Sequence, residues 1–260
     1  LGALVVAEGG TFTPPGVDSF FLPSIIGPVT KPMVLIVLSM IIIVVFFLAS
    51  SRKLKIIPSK FQFAAESVYD FGRNNIAREQ IGAKDFRPFV PLILSLFTFV
   101  LVNNIFALVP IIQFPTMSKF GFPLALSLLV VYPTYHFVGI KRHGLGGYLK
   151  NQLILPDVPG PVHIMLVPIE FLQKFIINPF TLALRVFAAM FAGHLLLLVF
   201  TLGGEYLLIE ASVALKPVSV LGFAFAIAMT FLEALIQVLQ AYIFALLSAN
   251  YIGMALASDH

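Results

Sequence analysis

The chain has 260 residues, 59% of them hydrophobic and 11% charged, with a formal net charge of +4 and no cysteine. A soluble domain averages roughly 25% charged residues, so this composition cannot build a water-soluble surface and lipid must cover much of it. The missing thiols exclude disulfides, thiolate metal sites and cysteine nucleophiles, and the positive charge does not point to nucleic acid, because the basic residues lie in loops between apolar runs.

Residues 1–32 read as an outer N-terminal segment. They are mixed, Gly/Pro-containing and poor in positive charge, unlike a secretory n-region or a mitochondrial presequence. Residues 33–260 read as a single membrane domain. A bilayer core of about 30 Å needs about 20 apolar residues in helix. The first such run, 33–50, contains no charge and ends at Ser51-Arg52-Lys53-Leu54-Lys55. From Pro58 to Asp85, Phe61, Phe63, Val68, Phe71 and Ile76 alternate with Glu66, Asp70, Arg73 and Arg78, which predicts an amphipathic surface helix rather than a span. Further spans are predicted at 89–112 and 122–140. The loop up to Pro161 holds the breakers Gly144, Gly146, Gly147, Pro156 and Pro159.

Two long apolar stretches follow, 162–202 and 218–257. Forty helical residues would extend about 60 Å, about twice the hydrocarbon thickness. Polar turns that would break them into shorter spans are missing. The expected fold is therefore an all-α membrane protein of about five membrane helices. Its last two helices form a long, strongly tilted hairpin that turns near Gly203-Gly204-Glu205 and Lys216-Pro217. Arg52, Lys53, Lys55, Lys60, Arg73, Arg78, Lys84, Arg87, Lys141, Arg142 and Lys150 all fall in two loops on one side, which predicts a cytoplasmic C-terminus and an outer N-terminus.

The ionisable groups that stand out within the last two stretches are Glu170, Lys174, Arg185, His194 and Glu233, with the amides Asn178, Gln237 and Gln240. An intramembrane arginine costs about 3 kcal/mol on insertion scales and far more in simulations of an isolated helix. Arg185 is too far from a helix end to reach water easily and cannot deprotonate, so it needs a carboxylate or a wet cavity. Ala188, Ala189, Ala192 and Gly193 follow at +3, +4, +7 and +8, the side of a helix that Arg185 occupies, and small residues let another helix approach. Ala241, Ala245, Ala249 and Gly253 form a second smooth stripe. Beside it runs a polar ladder of Thr230, Glu233, Gln237 and Gln240. A buried His/Glu pair, His194 with Glu233, suits proton passage.

Other readings compete. A polar stripe also serves as interhelical glue, and a buried histidine is often only a satisfied core residue. Arg185 could be the structural ion-pair partner of Glu233 in a non-conducting scaffold. It could also bind an anionic substrate in a self-contained transporter, but that predicts inverted repeats and broken helices, and neither is evident. No phosphate loop, zinc motif or nucleophile elbow points to soluble catalysis, and nothing predicts a cofactor or a resident metal.

The segment Leu184-Arg185-Val186-Phe187-Ala188-Ala189-Met190-Phe191-Ala192-Gly193-His194 resembles the signature of the a subunits of F-type ATP synthases. The segment from Glu233 through Gln237 and Gln240-Ala-Tyr-Ile-Phe resembles that family's last helix, and Asn104 to Pro110 resembles the Asn-to-Pro segment of its second span. The resemblance covers most of residues 30–260, and the tail 254–260 looks like bacterial members. It implies a proton-translocating, itself non-catalytic stator subunit of the membrane motor, working against a ring of c subunits. The implied partners are the c-ring, the subunit b peripheral stalk, the rest of the F1Fo complex and the lipid bilayer. The implied location is a bacterial plasma membrane.

By the same resemblance, Arg185 faces the ring carboxylate and separates two half-channels. His194 and Glu233 are the outer half-channel pair, in a reciprocal exchange of the Glu and His that some bacteria carry. Gln240 lies beside the arginine, and Gln237 and Asn104 are expected in the proton path. Glu170 and Asn178 lie near inner half-channel positions. Ala189 departs from the Asn often found four residues after the arginine.

Overall fold

The computed structural model describes residues 12–21, 23, 27–52, 54–153 and 160–257. The described residues are almost all helical and contain no β-strand. Among the described residues, five helical stretches are long and apolar enough to cross a bilayer: Lys31–Ser51, Arg87–Ile105, Gly121–Leu153, Met165–Ile209 and Lys216–Leu256. The protein is an all-α membrane protein.

Helix α1 (Lys31–Ser51) starts with Pro32 in its first turn, where the missing N–H costs nothing. Most of its surface is left for lipid. Its inner edge meets α4 (Val90–Ile105) through a polar tie, in which the Asn103 amide donates to Ser39 Oγ at 2.8 Å. Helix α2 (Lys60–Asp70) is capped by Ser59, whose hydroxyl accepts from Gln62 N. It runs on through a π-helical segment, Phe71–Arg78, into the short α3 (Glu79–Ile81). The stretch expected at the surface divides in two. Phe61 and Phe63 are exposed, whereas Ile76 and Ala77 are fully buried in the core.

That core lies between α4, the 71–81 segment and the last helix, α9 (Lys216–Leu256). Ala241, Ala245 and Ala249 are fully buried there. A side chain at Gly253 would run into the Gln80 carbonyl. This smooth stripe therefore packs against the protein's own interior and not against a partner.

Several boundaries differ from the sequence expectation. Helix α4 stops at Ile105, and residues 106–112 form tight turns closed by bonds such as Leu108 N to Ile105 O, short of Pro110. The third span forms α5 (Gly121–Leu126), a π segment (Ser127–Val131) and α6 (Tyr132–Leu153). Helix α6 extends past the expected loop start and breaks at Gly144, whose φ of 72° is a left-handed value suited to glycine. The breakers Pro156 and Pro159 lie outside the described residues.

The fourth span is α7 (Gly160–Leu172), a π segment (Gln173–Ile177) and α8 (Asn178–Ile209). A physical cause for its π segment is visible. Pro179 has no N–H to give back to the preceding turn. The Tyr135 hydroxyl of α6 donates instead to the Lys174 carbonyl, at 2.9 Å.

Helices α8 and α9 do not turn at Gly203-Gly204. Both glycines stay in α8, and the reversal falls at residues 210–215. A Cβ on Gly222 would sit 3.0 Å from the Gly204 Cα. These glycines thus serve a close backbone crossing, not the turn.

Candidate functional site

The pairing of α8 with α9 places the polar groups. Gly193 faces Glu233, Phe200 stacks on Phe225 at 5.4 Å, and Gly204 meets Gly222. Each step along α8 is matched by a step back along α9, as an antiparallel pair requires. Continuing that register brings Arg185 level with Gln240 and Ala241.

Four of the expected site residues come together in the middle of this pair. His194 Nδ1 lies 3.5 Å from Glu233 Oε1. The same oxygen accepts from Gln237 Nε2 at 3.3 Å, one helical turn further along α9. Asn104 of α4 donates to the Gln237 backbone carbonyl, also at 3.3 Å. His194 is 4% exposed and Glu233 2%. Phe20 closes over the imidazole edge to face, with ring centroids 5.9 Å apart.

This cluster is only loosely satisfied. The contacts are long for charge-assisted hydrogen bonds, and Glu233 Oε2, Gln237 Oε1, Gln240 Oε1 and Asn104 Oδ1 are buried without a partner. A row of unpartnered buried oxygens is costly, and it is where protons and water bind most favourably.

A cavity of about 330 Å³ opens beside His194. Ser19, Gln113, Thr201, Glu205 and Thr230 supply its polar wall. Thr201 and Glu205 follow His194 at +7 and +11, on one face of α8, and Thr230 precedes Glu233 by one turn of α9. The space holds several waters. It lies at the end of the molecule opposite the basic loops. In the sequence Thr230 reads only as a rung of the ladder, Glu205 as part of a turn, and Ser19, Gln113 and Thr201 carry no assigned role. The +7 and +11 spacing from His194 was the available signal for Thr201 and Glu205. Nothing local marks Ser19 or Gln113, which tertiary folding brings in.

Arg185 stands apart. It is exposed, and among the described residues no carboxylate lies within ion-pair distance of it. Ala188 and Ala192 are exposed on the same face. Gly193, expected on that face, turns instead toward Glu233, and Ala189 is half-buried against the core. The face around Arg185 is thus narrower than the spacing suggested. Glu233 is held by His194 and Gln237, not by Arg185, which removes the scaffold reading's ion pair. Gln240 is half-buried between these two environments.

Glu170 and Asn178 lie in the other half of the molecule. Glu170 pairs with Lys174 at 3.1 Å, and Lys174 Nζ also donates to the Gln152 carbonyl at 2.6 Å. Asn178 opens α8, half-buried and two turns from Arg185. Neither residue joins the His194–Glu233 cluster.

Comparison with known proteins identifies the family. Residues 33–253 match the family described as ATP synthase A chain. The chain is similar to the ATP synthase subunit a of a Nocardioides species, with 47% identity over 98% of this chain and 96% of that protein. It is similar to the protein of the same name from Pseudarthrobacter chlorophenolicus, with 45% identity over 99% and 98% of the two chains. With the Streptomyces lividans protein of that name it shares 41% identity over 98% and 92%.

Proposed function

The chain belongs to the ATP synthase A chain family, and from that premise we propose that it is the proton-translocating stator subunit a of an F-type ATP synthase. It is not itself a catalyst. It conducts protons, and ATP chemistry belongs to partner subunits. Its partners are the c-ring, the peripheral stalk of subunit b and the rest of the F1Fo complex. It sits as a multi-pass protein in a bacterial plasma membrane, with its C-terminus cytoplasmic and its N-terminus outside.

The observation that carries this reading is the contrast between two charges. Glu233 is buried with His194 beside a polar-walled cavity, while Arg185 is exposed and unpaired on a small-residue face. In the mechanism, protons enter the cavity past Gln113 and Glu205 and reach His194 and Glu233. Gln237 and Asn104 hold that pair, and Gln240 lies between it and the ring. A ring carboxylate takes the proton, becomes neutral and can then face lipid.

After nearly a full turn the carboxylate reaches an inner path near Asn178 and Glu170 and releases its proton. Arg185 separates the two paths. Its fixed charge favours a deprotonated carboxylate near it, and it cannot relay a proton itself. The driving field supplies about 2.3 kcal/mol per charge per 100 mV.

The test is Arg185→Ala in membranes, with assembly checked by co-purification of the ring. Coupled ATP synthesis should vanish. Synthesis at wild-type rate with an intact ring overturns the reading.

A further inference from the structure

The inner half of the molecule holds an imidazole that the path above does not use. His136 lies on α6 against Tyr132 and Tyr135, with ring centroids 4.2 and 4.1 Å away. It stacks on Phe175 of the π segment between α7 and α8 at 4.7 Å. Its Nδ1 is 2.6 Å from the Tyr148 hydroxyl, and its Nε2 is buried with no hydrogen-bond partner.

A neutral imidazole carries one hydrogen on one of its two nitrogens. If Nδ1 holds it and donates to Tyr148, Nε2 presents a bare lone pair to the interior. If Tyr148 donates to Nδ1, an N–H points at nothing. In the first case Nε2 can take up a proton, and in the second it holds one that no neighbour accepts.

The pair is built by a chain reversal. Gly144, at φ 72° and ψ 164°, turns the chain so that Tyr148 returns over Gly139, and any side chain on Gly139 would run into its ring. Tyr148 is 2% exposed. Plain packing would be met by two phenylalanines. A hydroxyl on one ring nitrogen with the other nitrogen unspent is an arrangement suited to proton transfer.

The cluster also lies where an inner path needs a carrier. Tyr251 of α9 is 5.8 Å from Tyr135 and within electrostatic reach of Arg185. On the other side, α6 leads on to Lys141 and Arg142 of the basic loop.

We propose that His136 is a proton-carrying group of the inner path; this rests on the function proposed above. Nε2 takes up the proton released on the inner side, through water. In the resulting imidazolium, Nδ1–H donates to Tyr148. The proton then leaves Nε2 for water at the inner surface, and the ring returns to neutral. Tyr148 is a positioning residue that holds the ring's own hydrogen on Nδ1 and keeps Nε2 bare. The other titratable groups around His136 are Tyr132 and Tyr135 on α6 and Tyr251 on α9, which reaches it through Tyr135. The fourth span contributes Lys174, turned away to Glu170 and Gln152.

The test compares His136→Phe, His136→Gln and Tyr148→Phe in the whole synthase, in inverted vesicles, with assembly verified by co-purification. The readout is passive proton flux as a function of pH on the inner face. His136→Phe should lower flux roughly ten-fold or more, as expected for loss of a general acid–base group. Imidazole added on the inner side should restore part of it. Tyr148→Phe should shift the inner-face pH of half-maximal flux and leave the outer-face dependence unchanged. If His136→Phe fails to assemble, His136→Gln decides. Wild-type flux and an unchanged inner-face profile in the assembled variant overturn the proposal. Arg185→Ala is measured alongside: coupling that survives there sinks the parent reading, while its loss together with normal His136 variants sinks only this inference.

Discussion

Under the proposed function, the outer and inner halves of the molecule solve the same problem, moving protons, in different ways. In the outer half, polar groups line an open cavity. His194, Thr201, Glu205 and Thr230 face space large enough for water, and Glu233 Oε2 and Gln237 Oε1 beside them are buried without a partner. In the inner half the polar groups are wrapped in rings. His136 is covered by Tyr132, Tyr135 and Phe175, and the nearest full charges, Lys174 and Glu170, are already paired. An open path delivers protons through mobile water, whereas a filled one needs a side chain to carry them. The contrast also extends to the backbone. Within the fourth span α8 is regular helix, and the part before it is interrupted by the π segment 173–177 ahead of Pro179.

The comparison is sharpened first by Glu233→Leu. It removes the carboxylate of the outer pair and leaves His194 buried against an apolar side chain. Proton flux in assembled complexes should fall about 100-fold, the scale of a lost acid–base group. Flux near wild type would show that the outer cavity conducts without its buried pair.

Next is Gly222→Leu, at the backbone crossing above the cavity. The side chain has no room against Gly204, and overpacking of this kind costs about 1–3 kcal/mol. A lower yield of assembled complex in detergent is expected. An unchanged yield would mean that the outer crossing is loose and that the cavity shape is not set there.

A smaller effect is expected for Tyr135→Phe. It removes the donor to the Lys174 carbonyl freed by Pro179, worth about 1 kcal/mol. Thermal stability of the assembled complex should drop slightly. No drop would mean that the π segment is held by other contacts. Smallest of all on function, Asn103→Leu breaks the tie to Ser39 between α1 and α4, away from both paths. It should lower stability by about 1–2 kcal/mol and leave flux per assembled complex unchanged. Altered flux would tie α1 to the conduction path and blur the division between the halves.

Much of this organisation was legible from the residues. Runs of uncharged apolar residues marked the spans, the length of the last two marked a hairpin too long to stand upright, and Arg185 stood out by its cost alone. The polar ladder from Thr230 to Gln240 also placed Glu233 and Gln237 on one face. What was not legible depends on contacts between distant segments. The π segment at 173–177 follows from Pro179 only once Tyr135, on another helix, is there to take the orphan carbonyl. Nothing in the sequence singles out His136 until Gly144 brings Tyr148 back to it. The glycines at 203 and 204 carry the signature of a turn, and only the approach of Gly222 shows that they serve a crossing. The cavity draws its wall from Ser19, Gln113 and α8, and no local pattern links these.

The exposed Arg185 has a consequence for how the protein comes to exist. Under the proposed function, until a ring stands beside it, its guanidinium faces acyl chains with no counter-charge, at a cost of about 3 kcal/mol on insertion scales. An unaccompanied copy therefore bears a penalty that a docked copy escapes. Under the proposed function, order of biogenesis is written into this one side chain: the subunit is durable when it arrives at a finished rotor and short-lived when it arrives first.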